Sequence, residues 1–331
     1  MSDRTGLGLV EAAVLSALRR AQPRPDATYT KCARVVNLAV EAGIGPRWAY
    51  EALCLLGRTN ATPVGLIDFH GNCGSKDFDP APPEFTEARL SPTGVLALAA
   101  EEGALPPLPL GLIIGDTYLD GRRPPFDALR MTRAVSALVE DPSIGDGQLI
   151  DLVGPPVFPG GCEIGGDLDA LITGDPCVLE LTCRMALNAD GSRLELTNLP
   201  PSIGAHELEY RLGPAGESGG GDQGWPYKPE ALVGIAEVSN RSQGDTERVV
   251  CAIKPGADVE RLRTQLRRRW GVSTRVPAQL PAPLPALLRT WVDEHRHESL
   301  VKSLGKLRIA LAHGNPPPAS WIGWMSWRND Q

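Results

Sequence analysis

No stretch of the 331 residues approaches the roughly 18–20 consecutive apolar positions that a membrane-spanning helix needs, so no span is expected. The N-terminus lacks the charged, apolar and small-residue succession of a secretory signal. The seven cysteines, at 32, 54, 73, 162, 177, 183 and 251, are odd in number and never fall in a Cys-x-x-Cys pair. That spacing disfavours a disulfide framework or a zinc site and predicts a reduced, cytoplasmic chain. His295 and His297 lie two apart on an expected helix, point to different faces and make a poor metal pair. Glycines are abundant, as at Gly219-Gly220-Gly221, yet no Gly-x-x-x-x-Gly-Lys phosphate loop is present, so Gly213–Gly224 reads as a flexible loop.

Basic charge is also missing from the middle of the chain. Residues 91–230 hold 8 Lys and Arg against 21 Asp and Glu, whereas residues 1–90 balance at 10 each and residues 231–331 hold 15 against 9. A protein that wraps duplex DNA is expected to show a basic footprint, because phosphate neutralisation dominates affinity. The acidic middle argues against such a groove there. Arg261, Arg263, Arg267, Arg268 and Arg269 are placed on an amphipathic helix with Val259, Leu262 and Leu266 inward. They read as a solvated face before they read as a nucleic-acid patch.

What is present patterns as α+β. Val10, Val14, Leu15 and Leu18 form a helical stripe over Val10–Arg20, and further helices are expected at Thr30–Ala42 and Trp48–Leu56. With a wing near Val64–Asp68, these make a helix-turn-helix. Val178–Leu187 and Arg193–Leu199 flank Asn188-Ala189-Asp190-Gly191 and predict a hairpin, with Asp-Gly supplying the positive-φ turn. A second hairpin is expected across Glu237–Ile253, then a helix over Asp258–Trp270.

The segment from Asp68 to Leu90 carries the most information. It contains Gly71-Asn72-Cys73-Gly74-Ser75 and then Glu84-Phe85-Thr86-Glu87-Ala88-Arg89-Leu90. This resembles the active-site segment of the A subunits of bacterial type IIA topoisomerases, DNA gyrase and topoisomerase IV, where Gly-Asn-Phe-Gly-Ser precedes Arg-Tyr-Thr-Glu-x-Arg-Leu. Weaker likenesses follow in the same order: Gly6-Leu7, Thr30–Val36, Ala49–Leu53, Gly154–Gly161, and Gly234-Ile235 with Ser239. The resemblance implies a winged-helix DNA-gate-like domain over 1–110 and a tower-like mixed α/β domain over 111–280. It further implies the truncated start of a coiled-coil helix over 281–313, where Leu287, Leu288, Trp291 and Val292 stand at helical spacing, before a Pro/Trp-rich tail over 314–331.

The departures fall where the family touches DNA. The nucleophilic tyrosine position is Phe85, which has no oxygen to attack a phosphodiester, and the arginine beside it is Glu84. No catalytic position is intact. Thr86 is adjacent, and Tyr50 and Tyr118 lie elsewhere in the chain, as alternative hydroxyls. The His-Pro-His-Gly-Asp motif reads Ala42-Gly43-Ile44-Gly45-Pro46, the drug-contact serine reads Arg47, and the apolar wedge ahead of Pro124-Pro125 reads Arg123. A lost wedge removes the device that kinks the duplex. Arg34, Arg47, Arg89, Arg122 and Arg123 are the candidate DNA-contacting side chains, while Asp77 and Asp79 read as ordinary loop carboxylates.

The tail adds Trp321, Trp324 and Trp327, spaced by three. On a helix they would present one partner-binding face, or would fold back over the chain itself. No metal or cofactor is expected on this chain, because the family uses magnesium and ATP through the partner B subunit. The expected function is that of a non-cleaving relative of these A subunits, acting through contacts with topoisomerase subunits. A DNA-binding module that does not cut, and a topoisomerase subunit that needs a B subunit, are the alternatives. Any homodimer is expected to be weak.

Overall fold

The computed structural model describes residues 7–22, 28–58, 61–101, 110–115, 123–213, 234–243, 246–269, 272–294 and 305–306. In chain order, α1 (Leu9–Ala21), β1 (Thr30–Lys31), α2 (Cys32–Glu41), α3 (Pro46–Gly57), β2 (Ile67–His70), β3 (Glu87–Leu90) and α4 (Pro92–Glu101) come first. They are followed by α5 (Leu110–Ile114), α6 (Ala128–Glu140), α7 (Asp146–Val153), β4 (Glu163–Gly166), α8 (Leu168–Thr173) and β5 (Cys177–Thr182). The remainder is β6 (Arg184–Leu187), β7 (Arg193–Thr197), α9 (Ala205–Leu212), β8 (Ile235–Asn240), β9 (Arg248–Ile253), α10 (Val259–Arg269), β10 (Ser273–Ala278) and α11 (Leu284–Glu294). Helices and antiparallel sheets alternate irregularly, and the class is α+β. No helix among the described residues is long and apolar enough to cross a membrane.

Local sequence explains the helices nearest the site. In α2, Cys32, Val35, Val36 and Ala39 recur at helical spacing and are all buried. Pro46 opens α3, where its fixed φ suits the first helical turn and its missing N–H costs nothing. Ala49, Ala52, Leu53 and Leu56 then line one buried stripe of that helix. Helices α1, α2 and α3 pack on one another, and β1-β3-β2 forms a three-stranded antiparallel sheet beside them, with Thr30 opposite Ala88 and Ile67 opposite Leu90. The helix expected from Thr30 thus begins at Cys32, because Thr30 and Lys31 pair with β3 instead.

Two apolar cores organise the rest. The first gathers side chains from Leu7 to Leu181 and resumes at Val276 with Leu284, Leu288 and Val292. The second lies wholly between Cys183 and Val272. Helix α11 docks on α6 and α7, and Arg289 fixes it there by donating to the Pro142 carbonyl at 3.1 Å and pairing with Asp146 at 2.7 Å. Beyond Glu294 the expected 281–313 helix, with His295, His297 and His313, lies outside the described residues except for 305–306, as do the glycine-rich loop beyond Gly213 and the tryptophan tail.

Both hairpins form, with one correction. Strand β6 pairs with β7 and β8 with β9 in a sheet of order β6-β7-β9-β8. The run expected as one strand from Val178 to Leu187 is two: β5 belongs to the separate β10-β5-β4 sheet, and the chain changes sheets at Cys183. That residue is buried, and its N–H donates to the Val272 carbonyl at 2.9 Å. In the β6–β7 turn only Gly191 takes positive φ, at 74°, so the turn needs its glycine but not an inverted aspartate.

Candidate functional site

Between β2 and β3 the chain makes a loop, 71–86, whose turns are shaped by its own hydrogen bonds and whose position is fixed by bonds to the rest of the chain. The Asn72 side chain accepts from the Gly74 N–H at 2.8 Å, and the Asn72 carbonyl accepts from Ala81 N–H at 3.0 Å. Ser75 Oγ accepts from the N–H groups of Asp77 and Phe78 at 3.2 and 3.1 Å, while Ser75 N–H donates to the Phe78 carbonyl at 2.8 Å. These are the side-chain-driven turns that Asn and Ser favour. Gly74 sits at φ +81°, and a Cβ there would lie 2.3 Å from the Arg58 guanidinium and 2.8 Å from the Pro80 nitrogen. Arg58 in turn donates from Nε to the Cys73 carbonyl at 2.6 Å.

The far end of the loop seats on α2. The Cys32 and Ala33 N–H groups donate to the carbonyls of Thr86 and Pro83, each at 3.0 Å. Free amides at a helix N-terminus attract phosphate; at this one, two of the leading amides are already filled by the loop.

Phe85 projects from this platform with 75% of its surface exposed, and Glu84 beside it is exposed as well. The two described hydroxyls that stood as alternatives are otherwise engaged. Thr86 is fully buried, with its Oγ1 3.0 Å from Tyr50 Oη, and Tyr50 donates to the Ala81 carbonyl. Burial pushes the Tyr50 hydroxyl well above its ordinary range, so no phenolate forms there near neutral pH. Burial likewise raises the thiols of Cys32 to about 11 and Cys54 to about 12. Thiols in that range stay protonated and inert as nucleophiles at neutral pH. Tyr118 lies outside the described residues.

The middle of the loop is fastened to the second core. Lys76, almost wholly buried, donates to the carbonyls of Leu199 and Pro200 at 3.1 Å each and forms an ion pair with Glu247. Desolvation raises the Glu247 pKa, and Lys76 offsets part of that rise. Asp77 accepts from the N–H groups of His206 and Glu207 at 3.0 and 2.9 Å, so it caps α9 from another part of the chain. The Phe78 ring stands 5.5 Å from the His206 ring. Sequence reading missed this lock. Its partners lie 123 to 171 residues away from Lys76, and nothing local in the sequence signals them.

The candidate arginines divide by environment. Arg34 on α2 and Arg47 in the first turn of α3 are exposed. Arg47 lines a cleft of about 580 Å³ together with Tyr50, Glu51, Arg58, Phe78 and Asp79, which brings it to the 71–86 loop. Arg89 is half-buried: its Nε donates to Asp68 at 2.7 Å, and its guanidinium lies 4.4 Å from the centre of the Tyr29 ring, whose hydroxyl donates to the same Asp68 oxygen at 2.7 Å. Arg123 is half-buried just before Pro124-Pro125, and Arg122 lies outside the described residues. Among the described residues, no group of three or more His, Cys, Asp or Glu side chains converges to hold a metal ion.

No protein-family model matches the chain. Curated relatives do. The DNA gyrase A subunit of Synechocystis sp. is 26% identical over 314 residues, covering 84% of this chain and 35% of the relative. The DNA topoisomerase 4 A subunit of the same organism is 27% identical over 310 residues, covering 81% of this chain and 33% of the relative. The DNA gyrase A subunit of Aminobacterium colombiense is 28% identical over 345 residues, covering 94% and 39% respectively. The chain spans about a third of the length of these relatives.

Proposed function

We propose that this relative of the A subunits of DNA gyrase and topoisomerase 4 keeps the frame of their DNA-cleaving region without the chemistry. It acts in the cytoplasm through protein contacts, as a modulator or decoy of a type IIA topoisomerase. The observation that carries this reading is Phe85: a side chain with no oxygen, displayed at 75% exposure on a loop whose neighbouring hydroxyls, Tyr50 and Thr86, are tied to each other and to the backbone. Strand transfer onto an enzyme needs a hydroxyl that can be deprotonated and can then hold the phosphate. No described group beside Phe85 meets both requirements.

On this reading α1–α3 with the β1-β3-β2 sheet belong to the winged-helix domain of 1–110, and residues 111–280, which hold the second core, form the tower. Magnesium and ATP would belong to a partner B subunit, and no residue of this chain is assigned to either. The test is to mix the protein with supercoiled plasmid and a purified gyrase B subunit, then trap with detergent. No covalent DNA adduct should form, and titration into a complete gyrase should lower supercoiling. A trapped adduct would overturn the proposal in favour of a subunit that cleaves.

A second reading, a module that grips duplex without cutting it, is favoured by the exposure of Arg34 and Arg47 on adjoining helices. Duplex binding that falls steeply with salt, and that Arg34→Ala with Arg47→Ala removes, would put it first.

A further inference from the structure

The register of the four-stranded sheet sets Arg184, Thr197, Arg248 and Arg241 in one row across its outer face. Arg184 stands opposite Thr197, Thr197 opposite Arg248, and the Arg241 N–H donates to the Arg248 carbonyl at 2.7 Å. Adjacent strands lie ~4.8 Å apart, so the row crosses the sheet within about three such steps. All three side chains are exposed, and the inner face of the same strands holds Leu194, Leu196, Val249 and Cys251 in the second core. Like charges set opposite one another on a sheet destabilise it. Here Glu195 pairs with Arg248, whereas Arg184 and Arg241 have no ion-pair partner among the described residues.

Part of this face, with Arg193, Arg241 and Arg248, lines a cavity of about 780 Å³ that also includes Ser239, Gln243, Val250 and Ala252. Arg184 stands outside that cavity, at the β6 end of the row. Among the described residues no aromatic side chain lines the cavity, so they offer no platform on which unpaired bases could stack. Glu195 and Glu237 stand among the arginines. These carboxylates repel any anion set against them, so a continuous ladder of phosphates fits poorly. A segment whose carboxylates are spaced by uncharged residues can instead face the arginines with its charges and Glu195 and Glu237 with its N–H and hydroxyl groups. The volume falls within the range of small-molecule and short-segment sites. In a chain of net charge −7, this is a locally basic surface whose arginines outnumber its carboxylates.

We propose that the outer face of this sheet docks a short acidic segment of a partner protein, with Arg184 and Arg241 as its charge-reading residues. The inference rests on the sheet and its register, and stands whatever the fate of Phe85.

The test uses the full chain and a fluorescein-labelled peptide of alternating Asp and Ser, followed by anisotropy at low and at physiological salt. A Lys-Ser peptide and a short DNA duplex are run in parallel. Arg184→Glu with Arg241→Glu should weaken acidic-peptide binding by about tenfold or more, and added salt should weaken it in the parent protein. Arg261→Glu, an exposed change on α10, should leave it unaltered. Both side chains of the double variant are exposed, and an unchanged circular dichroism spectrum and melting temperature would show that it still folds. Failure of the acidic peptide to bind at low salt, or equal binding by the double variant, overturns the proposal. Binding of the duplex alone, lost in the double variant, overturns it in favour of nucleic acid.

Discussion

Tyr50 and Thr86 hold their hydroxyls 3.0 Å apart beneath the loop that displays Phe85, and Tyr50 also donates to the Ala81 carbonyl. That contact joins α3 to the second half of the loop, at Ala81 and Thr86, so it is structural. Tyr50→Phe should lower unfolding stability by ~1–3 kcal/mol, the range for leaving a buried partner unsatisfied. The midpoint of urea unfolding measures it. A variant as stable as the parent would show that the hydroxyl is free for other work.

Phe85 is a different case, because its exposure leaves little packing to lose. Phe85→Ala and Phe85→Tyr should both leave stability within ~0.5 kcal/mol of the parent. Phe85→Tyr should still form no DNA adduct with a gyrase B subunit, since Glu84 places a negative charge where an incoming phosphate needs a positive one. Detergent trapping on labelled plasmid reads the result, and an adduct from the single change would show that the surrounding frame is competent.

The Lys76–Glu247 pair predicts a dependence on pH with a definite sign. Removing one partner of a buried pair costs ~3–5 kcal/mol, and Lys76→Met should approach that range at neutral pH. Glu247 has a raised folded-state pKa, chiefly from desolvation, so the native state holds its proton where the unfolded state has released it. Its contribution is therefore complete below the unfolded pKa and is lost as pH rises through the folded one. Lys76→Met removes the group that limits this rise, so its penalty should be smaller at acidic pH, where the loss of the bonds to the Leu199 and Pro200 carbonyls remains, and should grow toward neutrality. Thermal melts across the pH range test the slope; a penalty flat with pH would contradict it.

Two glycines separate conformation from crowding. Gly191, at φ 74° with open space around it, should lose roughly 1–2 kcal/mol on change to alanine from left-handed backbone alone. Gly74→Ala adds a collision with the Arg58 guanidinium and the Pro80 nitrogen, and should cost distinctly more. Denaturant unfolding of the two variants side by side checks the order, which reversal would disprove.

Much of this was legible in sequence for a local reason. Apolar spacing placed α1, α2, α3 and α10 within a few residues of their ends, and Asp190-Gly191 placed the β6–β7 turn. The Gly71–Ser75 and Thr86–Leu90 motifs located the loop that carries Phe85. Other features were set by partners far along the chain. Cys183 divides a uniformly strand-forming run because Val272 supplies its hydrogen-bond acceptor. Asp77, read as an ordinary carboxylate, is the cap of α9, 129 and 130 residues away. Arg89 is held by Asp68 and by the Tyr29 ring, and only the fold brings Tyr29 to it.

Glu247, which grips Lys76, is the immediate neighbour of Arg248 in the arginine row. A single strand end therefore answers to two surfaces at once: the loop that shows Phe85 on one side and the charged sheet face on the other. Any binding energy that one surface transmits to the other through Glu247 is returned in equal measure, because such linkage is reciprocal. An occupant of the sheet that shifted Glu247 would change the affinity at Phe85 by a given factor, and a partner at Phe85 would return that same factor to the sheet.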